Sequence, residues 1–194
     1  TVVLADPLPM ASLDADMGRR VCAAMGQAGI HVHPEEPVRE IVADADGVVT
    51  AVRTDAGEYP ADLVVIGTGM RPEVALAQAA GLALGSTGAI EVDRTQRSTS
   101  HPEVFAAGDC AQTFHRLSGM DVHIPLGTHA NKQGRVAGSV IGGRAARFAG
   151  VIGTAATRVC GTEIGRTGLC STEAEKDGFD VLAEKIEGTA RAGD

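Results

Sequence analysis

The residues best suited to chemistry in this 194-residue chain fall in two short stretches. The first is Val104-Phe105-Ala106-Ala107-Gly108-Asp109, an apolar run closed by a glycine and a carboxylate. Such a run has the length of a buried parallel strand, and ligands in open α/β sheets bind beyond the carboxyl ends of strands. Gly108 has no Cβ to hold a ligand off the backbone, and Asp109 then presents a carboxylate acceptor to ligand hydroxyls. An isolated Gly-Asp is more often a plain turn, so the pair alone decides nothing. The second stretch is Pro125-Leu126-Gly127-Thr128-His129-Ala130-Asn131-Lys132-Gln133-Gly134-Arg135. After Gly127 it reads as a helix, whose first turn offers free N–H groups and a partial positive charge. Such a terminus stabilises negative charge developing on a nearby ligand. The four cysteines (Cys22, Cys110, Cys160, Cys170) form no C-x-x-C, and among the six histidines His31-x-His33 has no partner pair. No metal site is expected, and the thiols read as reduced, in a cytosolic protein.

Context sharpens both stretches. Thr99-Ser100-x-Pro102-x-Val104-Phe105-Ala106-x-Gly108-Asp109 resembles the second flavin-binding motif of the pyridine nucleotide–disulfide oxidoreductases, several positions matching in register. The resemblance implies that Asp109 accepts from a ribityl hydroxyl of FAD, beside Gly108. Pro125–Arg135 is similar to the P-L-x-T-x-A-N-x-Q-G-R helix of the coenzyme A-disulfide reductase and NADH oxidase subgroup. This implies that Leu126, Gly127, Thr128 and Ala130 also contact FAD, with the helix start facing the pyrimidine edge of the flavin. His129 stands where that pattern has a smaller or different side chain. Asp62–Ile66 followed by Gly67-Thr68-Gly69-Met70-Arg71-Pro72 resembles the strand-to-G-x-x-P segment of the family, which implies that Gly69 lies against the nicotinamide nucleotide. Asp6, at the end of the run Thr1–Ala5, suits the acidic residue that binds the adenine ribose of NAD and repels the extra phosphate of NADP. A solvated loop aspartate is the alternative. The glycine fingerprint that belongs about 20 residues before such an aspartate is absent, Gly67-Thr68-Gly69 being followed by the wrong residues.

Composition sets bounds on the rest. Apolar residues make up 44% and aromatics 3%, so the core must be built from Val, Ala, Leu and Ile. A net charge of −8 argues against a nucleic-acid surface. No run of 18 apolar residues is present to span a membrane. The chain opens without Met, directly in an apolar strand, and reads as a piece of a longer protein that lacks the N-terminal part.

The elements that must position these residues follow from periodicity. Thr1–Ala5 and Ile30–His33 read as strands around a helix carrying Leu13, Met17, Val21, Ala24 and Ala28, with Asp14 as N-cap and Gly29 just past the end. Strand, helix, strand is a βαβ unit. Val38–Ala43, Val48–Thr54 and Glu58-Tyr59, broken at Asp46-Gly47 and Ala56-Gly57, predict an antiparallel meander. Asp62–Ile66, Gly88–Asp93 and Val104–Ala107 are expected strands, and Glu73–Ala80 a helix. Ser118-Gly119 is a turn, with His115 read as an exposed loop residue. Ala130, Gly134, Gly138 and Gly142 recur every four residues, which suggests a helix ridge for close packing. Beyond Phe148, strands are expected at Ala155–Cys160, Glu163–Thr167 and Phe179–Ile186, with Thr172-x-x-Glu175 as a capping box.

The fold class is therefore α/β: part of a doubly wound flavoprotein with two dinucleotide-binding domains, then the start of an α+β dimerisation domain. The expected division is 1–87 (NAD domain, later part), 88–147 (FAD domain, closing segment) and 148–194 (dimerisation domain). The resemblance implies a cytoplasmic homodimer passing hydride from NADH through FAD to a small-molecule disulfide or persulfide, or to oxygen. It places the redox cysteine in the missing N-terminal region, leaving no catalytic residue here and an inactive fragment on its own. The alternatives are a flavin subunit of ferredoxin or nitrite reductase type, or a non-catalytic interaction remnant.

Overall fold

The computed structural model describes residues 1–188. It opens with β1 (Val2–Val3), α1 (Ala15–Gln27) and β2 (Val32–His33), the strands pairing in parallel as Val2 with Val32 and Val3 with His33. Both strands are shorter than the apolar runs that contain them. One face of α1 buries Gly18, Val21 and Met25. α1 packs closely there: a Cβ at Gly18 would come within 3.3 Å of the Leu8 side chain. Asp14 is the N-cap residue, yet its carboxylate caps nothing in α1 and instead accepts the Ser171 N–H at 2.8 Å. Gly29, at φ +78, ends the helix, and Ile30 N–H returns to the Met25 carbonyl at 3.0 Å.

The meander forms as β3 (Glu40–Ala43), β4 (Val49–Arg53) and β5 (Glu58–Pro60), antiparallel in that order. Ala51 and Val52, consecutive in β4 and so on opposite faces of the sheet, are both buried. Gly47, at φ +80, makes the first turn, and Asp44 Oδ1 accepts the N–H groups of Asp46 and Val48 at 3.0 and 2.9 Å. A polar network joins this sheet to β2. Tyr59 O–H donates to Glu36 at 2.6 Å and stands 3.0 Å from His33 Nδ1.

The expected strand Asp62–Ile66 does not form. Leu63, Val65 and Ile66 are 80%, 85% and 66% exposed. A strand exists only by exchanging backbone hydrogen bonds with a neighbour, and among the described residues none lies alongside. The following helix, α2 (Ala75–Ala79), is shorter than expected and carries Ala77 into the central apolar cluster with Ile90, Ala106 and Ala111. Gly88–Asp93 and Val104–Ala107 run through this cluster without becoming regular strands. Ile90 bridges both Leu84 and Ala111, and Phe105 bridges Arg97.

The remainder comprises β6 (Thr113–Phe114), β7 (Asp121–Val122), α3 (Gly127–Ile141), β8 (Ala155–Val159), β9 (Thr162–Arg166) and α4 (Ser171–Lys176). α3 buries His129, Gln133 and Ala137, not the glycine ridge. Gly134 and Gly138 are exposed, and a Cβ on either would meet nothing within 4 Å. Cys160 belongs to the turn between β8 and β9, at φ +47, rather than to a strand. The capping box of α4 lies two residues earlier than expected: Glu173 accepts the Cys170 N–H at 2.9 Å and an Arg166 N–H at 2.7 Å. Phe179–Ile186 forms no strand, and Leu182 and Ile186 are 87% and 95% exposed. The last six residues of the expected third domain, 189–194, lie outside the described residues. No described helix is long and apolar enough to cross a membrane.

Candidate functional site

The turn at Gly108 is built by the helix that follows it. Gly108 adopts φ +85, a left-handed conformation that glycine takes without strain. Its N–H donates to the Gln133 Oε1 at 2.8 Å, and Gln133 is only 2% exposed. A Cβ at Gly108 would stand 3.3 Å from the Ala130 Cβ, so the turn is pressed against the first turn of α3. Beside it the Asp109 carboxylate is exposed and accepts no hydrogen bond from the described residues. The Asp109 main chain is held separately: His123 Nε2 donates to its carbonyl at 2.8 Å.

The start of α3 supplies the complementary groups. Leu126 is the N-cap residue in an extended conformation, and no side chain caps the helix. The N–H groups of His129 and Ala130 both donate to the Leu126 carbonyl, at 2.9 and 3.0 Å. Those of Gly127 and Thr128 have no acceptor among the described residues, as the first-turn rule predicts. They border a cleft of about 960 Å³ that Arg116, Lys132, Phe148 and Ile152 also line. Unpaired donors, two cationic side chains and an apolar wall suit a flat polar ring with electron-rich oxygens. Together with a free carboxylate for hydroxyls, they fit FAD.

Leu126, Gly127 and Thr128 line the cleft, Gly108 and Asp109 line a smaller space that shares His129 with it, and Ala130 packs against Gly108. The structure does not bring Asp6 or Gly69 there, since neither lines the spaces beside α3. Asp6 follows β1 in a bend, its carbonyl accepting the Glu35 N–H at 3.2 Å and its side chain exposed. Gly69 is exposed at φ +93. His115 contradicts its expected exposure. It is 2% exposed, its Nδ1 accepts the Ser118 N–H at 3.3 Å, and its backbone makes an isolated parallel bridge to Val151. Gln133, His123 and Arg116 escaped sequence reasoning as site residues. For Gln133 a signal existed: it lies four residues after His129, so the two share one helix face. Among the described residues no three His, Cys, Asp or Glu side chains gather as a metal site.

The pyridine nucleotide-disulphide oxidoreductase family model matches residues 1–134. The NAD(P)H sulfur oxidoreductase (CoA-dependent) of Pyrococcus abyssi is 44% identical over 161 residues, covering 82% of this chain and 36% of that protein. The NADH oxidase of Methanocaldococcus jannaschii is 35% identical over 180 residues, covering 93% of this chain and 39% of that one. A solved NAD-dependent persulfide reductase from A. fulgidus superposes with a TM-score of 0.88 at 36% identity, covering 92% of this chain and 33% of that chain. The chain therefore spans little more than a third of the length of these curated relatives. With 134 of its 194 residues inside one family model, the chain belongs to the pyridine nucleotide-disulphide oxidoreductases.

Proposed function

We propose that these residues are the flavin-gripping part of an FAD-dependent oxidoreductase whose parent protein passes hydride from NADH to a disulfide or persulfide of coenzyme A type, or to oxygen. The observation that carries this reading is the unpartnered Asp109 carboxylate set beside an uncapped helix start, the two joined by the Gln133–Gly108 hydrogen bond. Asp109 accepts from a ribityl hydroxyl, and Gly108 lets the ligand reach the main chain. Leu126, Gly127, Thr128 and Ala130 surround the pyrimidine edge, where the free N–H groups and the helix dipole favour an electron-rich ring. FAD, when bound, supplies the relay of hydride and electrons between donor and acceptor. Asp6 and Gly69 hold the nicotinamide nucleotide, Asp6 selecting NADH.

The names of the sulfur-reducing and oxygen-reducing relatives support both acceptors equally. The parent is a cytoplasmic homodimer with two dinucleotide domains, of which 1–87 and 88–147 are the NAD and FAD portions and 148–194 opens the dimerisation domain. Its redox cysteine is expected outside these residues, as the family resemblance implies, and none of the four thiols lines the cleft. Purified parent protein should be yellow and its flavin absorbance should bleach on anaerobic addition of NADH. A colourless protein would leave only the interaction-remnant reading.

A further inference from the structure

We propose that His129 is a binding residue for the flavin ring, its Nε2 accepting the imide N–H of the edge that lies against the start of α3. The inference rests on the flavin reading above and adds a contact to it. His129 is 9% exposed and sits on the buried face of α3. Its Nδ1 lies 3.1 Å from the Ile124 carbonyl. A carbonyl only accepts, so Nδ1 must carry the proton. In the neutral ring Nε2 is then a bare acceptor, and it has no partner among the described residues. His129 lines the cleft together with Gly127 and Thr128, whose N–H groups likewise have no acceptor among the described residues. His129 also lines a smaller space with Asp109, His123 and Gln133.

The two free donors of Gly127 and Thr128 and the one free acceptor of His129 match, in number and kind, a group of two carbonyls and one N–H. That is the pattern of a ring imide, the outer edge of the flavin pyrimidine. A phosphate or carboxylate has no N–H for His129 and would use only the donors. A side chain smaller than histidine at this position would leave the imide N–H without this acceptor, and a buried unmade hydrogen bond costs more than an exposed one.

The test reconstitutes apo parent protein with FAD and with N3-methyl-FAD, in which a methyl group replaces the imide hydrogen. H129N keeps an N–H for the Ile124 carbonyl and removes the acceptor at Nε2. H129Q carries an amide oxygen out to about that position. Methylation should weaken binding to the wild type by about five- to tenfold more than to H129N, the worth of one hydrogen bond. H129Q should recover part of that discrimination. Equal methylation penalties in the wild type and H129N would overturn the role of His129, while failure of the wild type to take up FAD would overturn the flavin reading beneath it. Nitrogen-15 spectra of wild-type His129 give a check independent of variant folding. A protonated Nδ1 and a bare Nε2 that responds to FAD but not to N3-methyl-FAD are expected; a protonated Nε2 would contradict the proposal.

Discussion

Two apolar runs in this chain end in glycine, and they meet different fates. Val104–Ala107 delivers Ala106 to the central cluster, and Gly108 is bound by Gln133 and pressed against Ala130. Phe105 is further covered by the Arg97 guanidinium, 4.5 Å from the ring centroid. Asp62–Ile66 leaves Leu63, Val65 and Ile66 in solvent, and Gly69 beyond it faces open space. The patterns are alike, so the difference lies in the neighbours. The first run finds its partners at Gln96, Ser98 and α3, all within the same stretch of chain. The second finds none among the described residues. A hydrophobic run states what must be buried, and the surrounding chain decides whether it is.

The contrast is sharpest in the glycines. Gly108→Val adds a side chain at φ +85 directly against Ala130, combining backbone strain with a clash. Urea unfolding of the chain should show a loss of about 3 kcal/mol, since left-handed strain alone costs 1–3 kcal/mol. Gly69→Val at φ +93 meets no neighbour within 4 Å and should cost only the strain, about 1 kcal/mol. Equal losses would erase the difference between the two runs.

Next in size is Gln133→Leu, which leaves the Gly108 N–H without its acceptor. An unsatisfied buried donor costs about 1–3 kcal/mol, and thermal melting should fall accordingly. An unchanged melt would mean that α3 does not hold the turn.

Acid should separate the meander from the Gly108 turn. Glu36 has its pKa lowered, first by the Tyr59 hydroxyl bonded to it, then by Thr54 and the nearby His33, against some desolvation. A carboxylate depressed in the fold stabilises it above the ordinary value near 4.3, and that contribution fades as pH falls through the lower folded value. Amide protection factors in β3–β5, corrected for intrinsic exchange at each pH, should therefore fall below about pH 4, and Tyr59→Phe should blunt that pH dependence. The Gly108–Gln133 bond joins groups that do not titrate and should hold over the same range. Smallest of all is Val65→Asp, expected to move the stability of this chain by under about 0.5 kcal/mol, as exposed substitutions do. A loss of several times that amount would show the run to be packed after all.

Much of the architecture was legible because it depends on local chemistry. The βαβ opening, the stop at Gly29, the Gly47 turn, the meander and α3 follow from apolar periodicity and from glycines at positive φ. The Gly108–Asp109 pair and the start of α3 were singled out separately, and the fold sets them side by side. What escaped depends on contacts distant in sequence. Thr172-x-x-Glu175 and Cys170-x-x-Glu173 have the same spacing, and Arg166 across the loop selects the second. The glycines of α3 suggested a packing ridge, but the helix is rotated so that Gln133 meets Gly108 and His129 meets Ile124. His115 looked like a loop residue because nothing near it in sequence announces Val151.

The most direct measurement is the FAD affinity of the parent protein carrying Asp109→Ala, by flavin titration of the apoprotein. Loss of one charge-assisted hydrogen bond should weaken binding by about 1.5–3 kcal/mol, roughly tenfold to a hundredfold. Flavin affinity equal to that of the wild type would contradict a flavin site at Asp109 and the start of α3.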